Sequence, residues 1–250
     1  MKNGRAAGGC WLTLFSPMVA EIVAQAGYDC VMIDMEHGPG STLDAIALMQ
    51  AVQGRACTAL LRVPENSPVW LKRVLDAGVA GVMIPAVHTP EDAAAAVDAC
   101  RYAPRGTRGM AATVVRASQY GAEWQDYIGR ADDQLLVICQ IESRAAVTAA
   151  AEIAGIDGVD MVFIGPFDLS ASLGHMGDPD HGEVREAILS VETAAKAAGK
   201  LLGGIPTPGR SAAELFAAGY DLVLADSDVG LLRDAARDGC QALRDAVGRG

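Results

Sequence analysis

"AGYDCVMID" (residues 26–34) recurs in altered form as "AGVAGVMIP" (77–85), "DGVDMVFIG" (157–165) and "AGYDLVLAD" (218–226). Each copy has a glycine where a helix would stop, a short connection, and an apolar run too short for a helix. That is how a helix hands over to a buried strand of a parallel sheet. Between the copies lie further short apolar runs, "CWLTLF" (10–15), "CTALLR" (57–62), "QLLVICQ" (134–140) and "LLGGI" (201–205), bounded by turn residues. Together they make eight strands.

Helix starts are legible between them. Ser16-Pro17, Ser67-Pro68 and Thr89-Pro90 each offer a capping hydroxyl followed by proline at the first helical position. Ser211 and Glu214 have the spacing of a capping box. Eight β units alternating with helices over 250 residues, with no linker-like stretch, match one closed (β/α)8 barrel in size and order. The expected domain is therefore a single unit spanning 1–250. A doubly wound open sheet is second, since no G-x-G-x-x-G or G-x-x-x-x-G-K-[ST] follows a strand.

Composition narrows the function. Acids outnumber bases by 31 to 20, a formal charge of −11, which repels nucleic-acid phosphates and anionic lipid. A small-molecule partner is expected, with no nucleic acid and no membrane. No apolar run reaches the length of a membrane span and residues 1–10 lack a signal-peptide core, so the expected compartment is the cytoplasm. The six cysteines are scattered without metal-site spacing and read as reduced, buried small hydrophobes.

Barrel enzymes work at the C-terminal ends of their strands. Standing there are Asp34, Glu36 and His37 after the second strand, Arg62 after the third, and His88 beyond the fourth. Gln140 and Glu142 follow the fifth strand, Gly165-Pro166-Phe167-Asp168 the sixth, and Ile205 ends the seventh. Several carboxylates on one rim call for a cation, and Glu142 with Asp168, on neighbouring strands, is the best placed pair. Oxygen donors favour a hard ion such as Mg²⁺ or Mn²⁺. For either carboxylate alone, a helix-capping role is the plainer reading. The lysines (Lys2, Lys72, Lys196, Lys200) fall in helices, at the N-terminus or at the far end of the barrel, which disfavours Schiff-base chemistry. No G-x-S-x-G elbow appears, so metal-assisted proton or C–C bond chemistry stands ahead of acyl transfer.

Two irregular segments, 101–118 with Arg101, Arg105, Arg108 and Arg116, and 170–183, read as binding loops, lids or subunit contacts. For the arginines, a set of structural ion pairs is at least as good a reading as direct substrate contact.

"YDCVMIDMEHGP", "LLRVP", "GVMIPAVHTPEDAAAAVDACRYAPRGTRG", "VICQIES" and "GVDMVFIGPFDLSASLGHMGDPDH" resemble, in order and spacing, the HpcH/HpaI family of metal-dependent class II pyruvate aldolases. The resemblance runs from the first strand to the eighth. It implies a phosphoenolpyruvate/pyruvate-type barrel that cleaves or forms 4-hydroxy-2-oxo acids through a pyruvate enolate and an aldehyde. By motif it puts the ligands of a divalent ion (Mg²⁺, Mn²⁺ or Co²⁺) on Glu142 and Asp168. It puts the base on His37, oriented by Asp34, and the enolate-stabilising arginine on Arg62. Gln140, Gly165, Pro166, Phe167 and Ile205 would line the pyruvate pocket, although position 167 is more often small in the family than Phe. His175 and His181 would shape their loop or a subunit contact, and His88 is read as a loop histidine. Glu36 receives no role beyond a cap or a salt bridge. The family's hexamers, with the C-terminal helix exchanged between subunits, point to "LLRDAARDGCQALRDAVG" (231–248) as an interface; its partial apolar face could equally pack on its own barrel.

Two other functions compete: an enolate-forming lyase acting on a CoA-thioester or phosphoenolpyruvate-type substrate, and a barrel that binds without catalysing. The first would want a basic groove, for which only the 101–118 arginines are available. Against the second stand Asp34, His37, Arg62, Glu142 and Asp168, all present.

Overall fold

The structure is a computed structural model that describes residues 5–248. Lys2 and the outermost ends of the expected 1–250 domain lie outside the described residues. The strands are β1 (Ala7–Leu12), β2 (Cys30–Asp34), β3 (Thr58–Arg62), β4 (Gly81–Ile84), β5 (Leu136–Ile141), β6 (Met161–Ile164), β7 (Leu201–Gly204) and β8 (Leu222–Ser227). They pair in parallel in sequence order, and β8 returns to β1, so the sheet closes into a barrel. Around it run α1 (Pro17–Gln25), α2 (Thr42–Val52), α3 (Pro68–Ala77), α4 (Pro90–Cys100), α5 (Trp124–Gln134) and α6 (Arg144–Thr148). They are followed by α7 (Ala150–Gly155), α8 (Pro166–Ser172), α9 (Gly182–Ala197), α10 (Ala212–Ala217) and α11 (Asp228–Ala246).

Side chains alternate across each strand, and the barrel sorts them. Cys30, Met32, Leu60, Met83, Ile138, Met161 and Phe163 fill the interior. Val31, Ile33, Leu61, Val82, Ile84, Val137 and Val162 face the helices. Each of the larger ones contributes about 1.5–3 kcal/mol on burial. Continuing the inward phase by two residues gives Asp34 after Met32, Arg62 after Leu60, Gln140 and then Glu142 after Ile138, and Gly165 after Phe163. The strand period thus delivers these five positions to one mouth of the barrel.

The first strand differs from the expectation over 10–15. It starts three residues earlier because Ala7 bonds the Asp221 carbonyl and pairs with Leu222. Gly8 and Gly9, which read as turn residues, lie inside the strand, and a Cβ at Gly9 would meet Cys30 Sγ at 2.6 Å. The capping boxes at Thr89 with Asp92 and Ser211 with Glu214 form, and a third at Ser41 with Asp44 opens α2. Ser67 makes no side-chain capping bond, so Pro68 with its fixed φ opens α3 without one.

The arginines of 101–118 brace helices and do not form a lid. Arg101 donates to the Asp132 carbonyl at 2.7 Å, and Arg105 pairs with the Asp132 carboxylate at 3.2 Å. Arg108 pairs with Asp76 at 2.9 Å and stacks over Tyr102, while Arg116 donates to the Ala77 carbonyl at 2.8 Å. α11 holds the barrel through its first residue, where buried Asp228 accepts the Thr13 and Leu14 N–H groups at 3.0 Å. Farther along, Leu232, Leu243 and Val247 are 60%, 72% and 66% exposed, so the helix does not cover them on its own barrel. Among the described residues no helix is long and apolar enough to cross a membrane.

Candidate active site

The β2–β3 register sets Asp34 directly opposite Arg62. The two side chains, both buried, close a bidentate pair: Nε donates to Oδ1 at 2.9 Å and Nη2 to Oδ2 at 2.8 Å. Asp34 Oδ1 also accepts the backbone N–H groups of Glu36 at 3.1 Å and His37 at 3.3 Å, which turns the chain out of β2. This corrects the expectation that Asp34 orients the His37 imidazole. Its oxygens are taken by a guanidinium across the sheet and by two amides, and no contact to the His37 ring forms. That ring stands 64% exposed at the mouth, and its Nε2 lies 4.0 Å from Glu36 Oε2.

Arg62 is confined on its other sides. Its guanidinium lies over the Trp11 ring, 4.5 Å from the centroid, a cation–π placement. Nη1 reaches Gln140 Oε1 at 3.5 Å and Glu36 Oε2 at 2.9 Å. The turn after β2 is shaped by Phe15, whose own φ is +50°. Its ring packs so closely that a Cβ at Gly38 or Gly40 would collide with it. That contact explains the Gly38-Pro39-Gly40 sequence.

Glu142 follows β5 and accepts the Ala86 N–H at 2.8 Å and a hydrogen bond from Gln140 Nε2. Ala86 has φ +53°, a left-handed conformation costly for a residue with a Cβ, and that conformation accompanies an N–H aimed at the carboxylate. Burial pushes the Glu142 carboxyl from 4.5 to about 7. The Ala86 N–H and Arg62 oppose that shift, and the negative charges of Glu36 and Asp168 add to it. Asp168, in the first turn of α8, is exposed and makes no hydrogen bond or ion pair with another described residue. A Cβ at Gly165 would meet Gln140 Nε2 at 3.0 Å and Glu142 Cβ and Oε2 at 3.1 Å, so the missing side chain leaves room beside the Glu142 carboxylate.

These features fit a divalent cation. A carboxyl pushed up by burial and by two acidic neighbours is relieved when a cation arrives, and Asp168 offers oxygens with no hydrogen-bond or ion-pair partner among the described residues. A second group, His175, His181 and Glu183, brings ligand atoms within 4.8 Å of one another. Its imidazoles are stacked 3.5 Å apart at 16°, so their in-plane lone pairs run side by side, and Glu183 is shared between His175 and Arg144 at 2.9 Å each. His181 also caps α9.

The remaining site candidates fall as follows. Pro166 is buried at the start of α8, the Phe167 side chain is 46% exposed, and Ile205 packs against the inner core. His88 Nδ1 lies 2.9 Å from Ser143 Oγ in the loop after β4. Lys200 donates to the Val159 and Ile156 carbonyls beneath the barrel, Lys196 to the Ala218 carbonyl, and Lys72 lies on α3. Trp11, Glu36 and Ala86 are the site residues that the sequence did not assign. Trp11 alone had a signal, being in phase with the inward residues of its strand.

The sequence profile of the HpcH/HpaI aldolase/citrate lyase family matches residues 8–235. The chain is 41% identical over 231 residues, 92% of its length and 90% of the relative's, to the hydroxypyruvate/pyruvate aldolase of Chromohalobacter salexigens. It is 38% identical over 225 residues, 90% of its length and 87% of the relative's, to the 5-keto-4-deoxy-D-glucarate aldolase of Salmonella paratyphi C. The crystal structure of an HpcH/HpaI aldolase/citrate lyase family protein from Burkholderia cenocepacia superposes with a TM-score of 0.91 at 39% identity, covering 96% of this chain and 95% of that one. With the match spanning all eight strands, this chain belongs to the HpcH/HpaI aldolase/citrate lyase family.

Proposed function

We propose that this chain, working as one barrel domain, is a metal-dependent class II pyruvate aldolase that cleaves and forms 4-hydroxy-2-oxo acids. The observation that carries the reading is Arg62, locked by Asp34 and within electrostatic reach of Glu142 at the same mouth. A fixed cation beside a cation-binding carboxylate pair suits a reaction in which negative charge appears on an oxygen. The relatives' names support pyruvate or hydroxypyruvate as the enolate donor.

Glu142 and Asp168 would hold the ion, with Mg²⁺, Mn²⁺ and Co²⁺ all compatible with carboxylate oxygens. When bound, it supplies Lewis-acid polarisation of the 2-oxo acid. Arg62 donates N–H bonds to the enolate oxygen as its charge develops. In the cleavage direction His37 takes the proton of the C4 hydroxyl as the C3–C4 bond breaks to release the aldehyde; in the forming direction it returns that proton to the aldehyde oxygen. Gln140, Gly165, Pro166, Phe167 and Ile205 line the pyruvate end. The exposure of the His37 ring, 64%, supports entry of the aldehyde from that side.

The bare leucines of α11 support a homo-oligomer, a hexamer with this helix exchanged between subunits. The six free cysteines, five of them buried, support the reducing cytoplasm. The test is hydrogen exchange at the pyruvate methyl group in deuterated buffer, followed by addition of an aldehyde panel. The enzyme should exchange these protons with Mg²⁺ or Mn²⁺ and stop when the ion is chelated. A chain that binds pyruvate without exchange would be a binding protein.

A further inference from the structure

Glu36 sits between the two groups that do the chemistry. Its buried Oε2 lies 2.9 Å from Arg62 Nη1 in a geometry that forms no hydrogen bond, and 4.0 Å from His37 Nε2. A buried carboxylate oxygen left short of hydrogen bonds costs stability, and its persistence calls for a use. Asp34 cannot serve His37, because both of its oxygens are bonded to Arg62.

We propose that Glu36 is a positioning residue serving both groups: it sets the charge beside the His37 ring and holds the Nη1 edge of Arg62 toward the site. The kinetic part of this inference rests on the aldolase reading; the electrostatic part does not.

The geometry carries each half. The Nε and Nη2 edge of Arg62 is closed by Asp34, so the Nη1 edge is the one turned to the mouth, flanked by Gln140 and Glu36. Because Glu36 approaches Nη1 without hydrogen-bond alignment, an incoming oxyanion can still take the N–H. For His37, a carboxylate about 4 Å away favours the imidazolium that forms when the ring takes a proton. Burial pushes the Glu36 carboxyl up, and Glu36 acts through its negative charge without forming a covalent bond. The charges acting on it are Arg62 and His37, which favour its anion, and Asp34, Asp168 and Glu142, which oppose it.

The experiment is a histidine-ring NMR titration of the Mg²⁺-loaded protein, run beside aldol kinetics, for wild type, Glu36→Gln and Glu36→Asp. In Glu36→Gln the titration midpoint of the His37 ring falls by about half a unit, and the acid limb of kcat moves down with it. The same variant loses about tenfold in kcat while KM for pyruvate stays within about threefold. Glu36→Asp recovers at least half of the midpoint shift. An unchanged His37 midpoint in Glu36→Gln overturns the proposal. A wild type without aldol turnover sinks the aldolase reading instead, and the ring titration still decides whether Glu36 is the partner of His37.

Discussion

Asp34 and Arg62 are register partners on adjacent strands and meet through two parallel hydrogen bonds of 2.8 and 2.9 Å, with 5% and 8% of their side chains exposed. A buried pair of this kind is costly to break, because the survivor keeps its charge without a partner. Asp34→Ala should lose about 3–5 kcal/mol of stability in urea unfolding. Arg62→Lys should fold but lose about 100-fold in kcat, since lysine cannot match the bidentate fork or offer a second edge to the enolate. An Arg62→Lys enzyme with wild-type kcat and only a raised KM would show that Arg62 binds substrate without stabilising the developing charge.

The Glu142 carboxyl, raised from 4.5 to about 7, makes ion binding compete with a proton. Affinity for Mg²⁺ or Mn²⁺ should rise roughly tenfold per pH unit up to about pH 7 and level off above it. The metal-free protein follows the opposite trend. A carboxyl that binds its proton more tightly folded than unfolded stabilises the fold fully below about pH 4.5, and that contribution is lost as pH rises through about 7. Melting curves with and without chelator at pH 5, 7 and 8 should therefore show a metal-induced rise in Tm that grows with pH. A constant gap would mean that Glu142 is ionised throughout.

Gly165 has neighbours at 3.0–3.1 Å from where a Cβ would stand, two of them atoms of Glu142. Gly165→Ala should displace that side chain and weaken ion binding by about tenfold, with an overpacking cost of about 1–3 kcal/mol. Calorimetric titration of Mn²⁺ into the folded variant reads the first number and urea unfolding the second. Unchanged affinity would place the ion away from this cleft.

The barrel was legible because four copies of one junction share a period that only a parallel sheet explains. Glu142 and Asp168 were legible because acids at adjacent strand ends are unusual enough to notice. What stayed hidden depends on pairing across strands. The family resemblance gives Asp34 to His37, three residues on, whereas register gives it to Arg62, 28 residues away. The first strand was set three residues late because Gly8 and Gly9 look like a turn until the tight approach of Cys30 shows why side chains are excluded. The 101–118 arginines read equally as binders or braces, since Asp132 and Asp76, which hold them, lie far off in sequence. Ala86 gives no sequence signal, because nothing about alanine announces a positive φ.

Mn²⁺ binding to wild type, Glu142→Gln, Asp168→Asn and His175→Ala tests the central claim most directly. One ion per chain should bind in wild type and His175→Ala alike, with affinity down at least about 100-fold in either carboxylate variant. Full binding in a chain carrying both Glu142→Gln and Asp168→Asn would contradict the account.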